Sequence, residues 1–155
     1  MILRIVISNP VSAKEVLALQ IPSYTVEAKL IDCYDIPALK DSVETLQKCG
    51  ETFFGYYEKE MLVGALSLKI QEGVIDIHRL IVHPDHFRKG IAKQLMNFVE
   101  AEIEDVHTII VSTGSKNEPA VRFYLNNGFR NIGELQITET LFITKFMKNV
   151  GSLHH

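Results

Sequence analysis

The segment Leu80–Met96 holds the side chains whose types and spacing best suit chemistry, and it reads LIVHPDHFRKGIAKQLM. An alternating strand runs into a proline turn, then a basic loop with one glycine, then an amphipathic helix opening around Gly90. A strand that enters a helix through such a loop leaves several backbone N–H groups without intrahelical partners. Those donors and the positive end of the helix dipole suit a phosphate-bearing ligand. The expected donors are the backbone groups of Phe87, Arg88, Lys89, Gly90, Ile91 and Ala92, with charge from Arg88 and Lys89 and close approach at Gly90. The plainer alternative is a strand–helix turn that needed one small residue and left its charges in solvent. A single glycine does not separate the two.

Other phosphate and metal motifs are missing. Neither the G-x-x-x-x-G-K-S/T loop nor the glycine triplet of dinucleotide-binding folds occurs. His83 and His86 flank Pro84-Asp85, and with His78 they form no spacing that fixes a metal, so no metal is expected. Alternation along the preceding strand places Val74, Asp76, His78, Leu80 and Val82 on one face. Asp76 could equally serve as an ion-pair partner of Arg79 or of a lysine on the next strand.

A chain of 155 residues suits a single domain over 1–149, with GSLHH and the residue before it, 150–155, reading as a cloning scar and partial histidine tag. The composition, 46% apolar and 23% charged, is ordinary for a soluble globular protein. The net charge of −3 argues against a general nucleic-acid binder. No apolar run reaches the ~18 residues of a membrane helix, and the N-terminus lacks a signal-peptide layout. Cys33 and Cys49 show neither metal nor redox spacing and read as reduced thiols of a cytoplasmic protein.

The elements that must position these residues follow from periodicity. Ile2–Ile7 reads as a strand, and Val11 to about Leu30 as helical, either two short helices or one bent at Pro22. A further helix is expected from Pro37 to about Lys48. Thr52–Glu58 and Met61–Ile70 predict a hairpin turning at Lys59-Glu60, followed by a strand over Val74–Val82. After Gly90 the stripe Ile91, Leu95, Met96, Phe98, Val99 and Ile103 must face a core. His107–Thr113 is a strand, Asn117–Asn127 a short helix closed at Gly128, and two strands, Phe129–Gln136 and Glu139–Met147, end the chain. The expected fold is α/β (α+β), a mixed sheet with helices on its faces.

Two segments then resemble the GNAT family of N-acetyltransferases. Leu80–Ala92 is similar to its Q/R-x-x-G-x-G/A motif after a V-x-P-like turn: Gly90 and Ala92 match, and Phe87 departs where glutamine or arginine is usual. NEPAVRFYLNNGF, residues 117–129, is similar to its N-x-x-A-x-x-F-Y-x-x-x-G-F motif through Asn117, Ala120, Phe123, Tyr124, Gly128 and Phe129. The resemblance spans residues 2–148. It implies a mostly antiparallel twisted sheet of about seven strands and a single acetyltransferase domain. It implies acetyl-CoA as donor, held by the loop, by Asn117, Ala120, Phe123 and Tyr124, and by backbone groups of Leu80, Ile81 and Val82 where the fourth and fifth strands splay.

The implied reaction is direct attack by a primary amine of a small molecule or protein in a ternary complex. Tyr124 occupies the position of the family's general acid. Asp76 stands where the family often has a glutamate, and His78, on the same face, is an alternative base. The acceptor site is left to the first helices and last hairpin, with Tyr24, Tyr34, Phe54 and Glu139 as candidate lining. A homodimer is common among relatives, although no stripe here reads as a dimer seam. The competing expectation is a catalytically silent acyl-CoA-binding sensor or interaction module.

Overall fold

The period-two segments become seven strands of one sheet, and the helical stripes cover both of its faces. The computed structural model describes residues 1–151. The strands are β1 (Ile2–Ile5), β2 (Thr52–Glu58), β3 (Met61–Gln71), β4 (Val74–Val82), β5 (Thr108–Gly114), β6 (Arg130–Gln136) and β7 (Phe142–Asn149), in the spatial order β1-β2-β3-β4-β5-β7-β6. Every pairing is antiparallel except β4 with β5. Of the tail expected at 150–155, residues 152–155 lie outside the described residues. Val150 N–H donates to the His107 carbonyl at 2.9 Å.

The first helix, α1 (Pro10–Ile31), runs unbroken through Pro22. It starts cleanly, because Asn9 caps the N–H groups of Val11 and Ser12 and Pro10 fills N1, where a missing N–H costs nothing. Its continuity is tertiary in origin: Ala13, Val16, Leu19, Ala28 and Ile31 bury one face along its length, which outweighs the hydrogen bond lost at Pro22. The helix expected over Pro37–Lys48 is instead a 3₁₀ turn, Pro37–Lys40, and a separate short helix α2, Val43–Lys48. The break follows from polar side chains that prefer caps to helix interiors. Ser42 and Thr45 form a reciprocal capping box, and Asp41 is drawn to Gln20 and Arg79.

α1 and α2 lie against one face of the sheet. On the other face, α3 (Ile91–Glu102) and α4 (Glu118–Asn126) enclose the larger core with Leu66, Leu68, Ile75, Ile77, Ile109 and Phe146. α3 buries Ile91, Leu95, Met96 and Val99, each contributing about 1.5–3 kcal/mol. Its first turn comes very close to β3. A Cβ on Gly64 would meet Ile91 Cγ2 at 2.7 Å, so the absence of a side chain there lets the start of α3 sit on the strand.

Candidate active site

A bulge in β4 decides which side chains meet. Ser67 pairs with Arg79 and Leu68 with Ile77, so His78 is an extra residue with no partner on β3. The bulge reverses the alternation beyond it. Asp76 and His78 share the α1 face with Arg79 and Ile81, while Leu80 and Val82 turn to the α3 face, against the larger core. The expectation that Val74, Asp76, His78, Leu80 and Val82 lie on one face therefore fails past His78.

Arg79, brought to the α1 face by this reversal, anchors a polar network. Its Nε donates to Glu51 Oε1 at 3.1 Å, and its Nη1 to Asp41 Oδ2 at 2.7 Å and Gln20 Oε1 at 2.8 Å. Its guanidinium also lies over the Phe53 ring, 5.7 Å from the centroid. Ser67 Oγ donates to the same Glu51 Oε1 at 2.6 Å. Burial alone would raise the Glu51 and Asp41 carboxyls. Arg79, with Ser67 at Glu51 and with Thr45 and Gln20 at Asp41, outweighs burial and holds both below the usual carboxylate range. His78 stands between two carboxylates: Nδ1 is 3.6 Å from Glu51 Oε2, and Nε2 is 3.4 Å from Asp76 Oδ2. Arg79 is thus a partner of Glu51 and Asp41, and Asp76 is left beside His78.

The same bulge marks the origin of a splay. β4 and β5 pair only over Val74–Ile77 and Thr108–Val111, after which β5 continues on β7 alone. Because His83 N–H donates to the Val63 carbonyl at 2.9 Å, alternation makes Ile81 a hydrogen-bonded partner of Ala65. The N–H and C=O groups of Leu80 and Val82 then face the side that β5 has left. Of the three backbone sites expected for a ligand strand, two are free to serve it, and Ile81 is engaged by β3.

The phosphate loop is likewise divided. Its first helical bond runs from Gln94 N–H to the Gly90 carbonyl at 3.0 Å, so Ile91, Ala92 and Lys93 have no intrahelical acceptor, and no side chain among the described residues caps them. Gly90 is left-handed (φ 75°), and nothing among the described residues lies within 4 Å of where a Cβ would stand. Arg88 is also left-handed (φ 67°) and forms no ion pair among the described residues. Two of the expected contributors are occupied otherwise. Phe87 N–H donates to the Pro84 carbonyl at 3.3 Å, and Lys89 Nζ is tied to His86 Nδ1 at 3.0 Å and Glu58 Oε2 at 3.4 Å.

On α4, Asn117 is the N-cap, its side-chain oxygen accepting from Ala120 N–H at 3.3 Å. Tyr124 is 5% exposed, its ring packed on Phe123, Phe129 and Phe146 with centroids 5.4–5.5 Å away. Its hydroxyl forms no hydrogen bond among the described residues, yet none of their buried side-chain polar atoms is sealed without a partner, so the oxygen opens to accessible space. Burial, then the charge of Glu27 on α1, raises the phenol well above its usual range. Burial also raises Glu27, and the Asn117 side chain partly offsets it.

A cavity of about 220 Å³ opens on the α1 face beside the bulge, lined by Tyr24, Pro37, Ala38, Asp41, Glu51, His78 and Arg79. Of the acceptor-lining candidates, only Tyr24 reaches it. Phe54 stacks on Phe98 (5.4 Å) within the α3-side core, and Tyr34 and Glu139 are exposed. Glu51 and Asp41 escape sequence reasoning, because a lone acid before a strand or helix looks like a surface residue. Only their burial against Arg79 identifies them.

Comparison with known proteins agrees with this geometry. The family model described as "Acetyltransferase (GNAT) family" matches residues 14–129. The UPF0157 protein YqkA of Bacillus subtilis is 39% identical over 134 residues, covering 86% of this chain but 39% of that protein, so the chain spans about two-fifths of that relative's length. Among solved structures, the ribosomal-protein-S18-alanine N-acetyltransferase of Escherichia coli superposes with a TM-score of 0.77 at 14% identity, covering 97% of this chain and 94% of that one. The PaiA N-acetyltransferase of Thermoplasma acidophilum, in complex with coenzyme A, gives 0.75 at 18% identity, covering 96% and 98%.

Proposed function

Since this chain belongs to the acetyltransferase (GNAT) family, we propose that it transfers an acetyl group from acetyl-CoA to a primary amine by direct attack in a ternary complex. The observation that carries the reading is the splay between β4 and β5, which opens at His78 and exposes the backbone of Leu80 and Val82. An extended pantetheine arm would add to that edge as a strand does. The unsatisfied N–H groups of Ile91, Ala92 and Lys93, with Arg88, would receive the pyrophosphate. Bound there, acetyl-CoA supplies an activated thioester.

The acceptor must attack as a neutral amine, and removing its proton at pH 7 costs on the order of 4–5 kcal/mol for a lysine-like group. His78 is the base in this reading, with Asp76 beside its Nε2 to pass the proton outward. Tyr124, kept protonated by its surroundings, gives a proton to the leaving sulfur. Two half-buried free thiols suit a reducing, cytoplasmic setting. Calorimetric titration with acetyl-CoA followed by thiol-release assays on an amine panel tests the whole. Absence of binding at hundreds of micromolar removes the reading, and binding without turnover on any amine leaves only a silent acyl-CoA module.

A further inference from the structure

The cavity between the 3₁₀ turn and the β4 bulge has a chemistry of its own. Its cation is already committed: Arg79 spends its Nε and Nη1 donors on Glu51, Asp41 and Gln20. An acceptor bearing a carboxylate or phosphate beside its amine would therefore find no free positive group here, and two acids would repel it. The carboxylate of Glu51 is used unequally. Oε1 accepts from Ser67 at 2.6 Å and Arg79 at 3.1 Å, whereas among the described residues Oε2 has only Arg79 Nη2 at 3.5 Å and His78 Nδ1 at 3.6 Å. A carboxylate offers about four lone-pair sites, so Oε2 retains acceptor capacity on a side chain only 7% exposed. A second polar group is also unspent. The Tyr24 hydroxyl, in the same wall, forms no hydrogen bond among the described residues.

We infer that Glu51 is the specificity-determining carboxylate of the acceptor site, and that the acceptor is a primary ammonium on a slender, unbranched alkyl chain without a neighbouring acid. The inference rests on the acetyl-transfer reading above and names its substrate class. Size agrees with charge, because about 220 Å³ is below the ~300–1,000 Å³ of drug-sized ligand sites. The apolar surface of Pro37 and Ala38 in the cavity wall suits the methylenes of an alkylamine better than the polar ring of an aminocyclitol. The ammonium docks on Glu51 Oε2 and transfers one proton to His78. Its nitrogen lone pair forms the C–N bond to the acetyl carbon, and the C–S bond breaks with its electron pair on sulfur. That sulfur takes the Tyr124 proton, and the second proton to leave the acetylated nitrogen restores the Tyr124 phenol as the neutral amide forms.

The test is steady-state thiol release with matched amines: a 1,4-diaminoalkane, a lysine side chain in a blocked dipeptide, an α-amino acid, and an aminocyclitol. The two alkylammonium acceptors are expected to lead in kcat/KM by at least about tenfold. Whichever of the two is the better identifies a free metabolite or a protein side chain as the source. Glu51→Gln should raise KM for the preferred amine about 10- to 100-fold, as loss of a charged hydrogen bond does, with acetyl-CoA affinity unchanged. Because that variant also disturbs Arg79, a tetramethylammonium ion is used against the wild-type protein as well. It cannot be acetylated, and it should compete with the amine and not with acetyl-CoA. Preference for the acid-bearing or bulky amine, an unchanged KM in Glu51→Gln, or no competition by tetramethylammonium would each overturn the assignment. If the wild-type protein fails to bind acetyl-CoA, the acetyl-transfer reading itself falls.

Discussion

Replacing Tyr124 by phenylalanine separates chemistry from structure unusually well in this molecule. The ring is 5% exposed and held by Phe123, Phe129 and Phe146, and phenylalanine keeps all of those contacts. The lost hydroxyl has no hydrogen-bond partner among the described residues, so no internal bond is broken. Stability should therefore change by no more than about 0.5 kcal/mol, or roughly 1–2 °C in Tm for a chain of this size. A proton delivered to the leaving sulfur contributes ~10²–10⁴ in rate, so kcat should fall by about that factor, while acetyl-CoA affinity stays within about threefold. The assay is stopped-flow or steady-state thiol release at saturating donor, paired with calorimetry and thermal melting on the same preparation. Wild-type turnover in a variant with unchanged Tm refutes the acid role. A fall in Tm of more than about 4 °C instead shows that the hydroxyl was satisfying something inside the fold.

Three other outcomes follow from the geometry. Arg79→Met leaves Glu51 and Asp41 as uncompensated, largely buried charges, and urea denaturation should show a loss of about 3–5 kcal/mol; a loss under about 1 kcal/mol would contradict the network. The same two carboxyls are lowered in the folded state, so the unfolded chain binds more protons at low pH. The stability they supply is complete above their unfolded values of about 4.3 and 3.9, and it drains away as pH falls through the lower folded values. Urea midpoints measured from pH 7 to pH 3 should drop across that window, less steeply in Arg79→Met. Gly90→Val meets no side chain, but it forces a β-branched residue to φ 75° at a cost of about 1–2 kcal/mol. Melting should show that loss and calorimetry a weaker acetyl-CoA complex, whereas an unchanged affinity would detach Gly90 from the donor site.

What the sequence discloses depends on whether local pattern or tertiary context sets a feature. The hairpin at Lys59-Glu60 and the buried stripe of α3 are local, and both appear in the fold as expected. Strict alternation along Val74–Val82 fails because nothing in those residue types announces an extra residue at His78; the bulge is set by register with β3. Pro22 leaves two short helices or one bent helix open in the sequence, and the burial of α1 against the sheet decides for a single helix. Glu51, Gln20 and Asp41 look like surface polar residues until Arg79 gathers them, and Arg79 itself faces α1 only because of the bulge. Phe87 departs from its family motif at a position whose N–H is in any case bonded to Pro84, so the departure removes little from the cradle.

The short pairing between β4 and β5 has a mechanical consequence. With only the four register pairs from Val74–Thr108 to Ile77–Val111 joining them, β1–β4 and β5-β7-β6 are two antiparallel leaves sewn along a brief seam. Each leaf is built largely from hairpins of neighbouring strands, while the seam needs a parallel crossover through α3, the kind of contact that forms slowly. The leaves should fold first and the seam close last. In the finished protein the amides of Leu80 and Val82 should exchange hydrogen faster than those of Ile75 and Ile77. A ligand strand laid into the gap would act as the missing stitch, slowing that exchange and binding the two leaves into one cooperative unit.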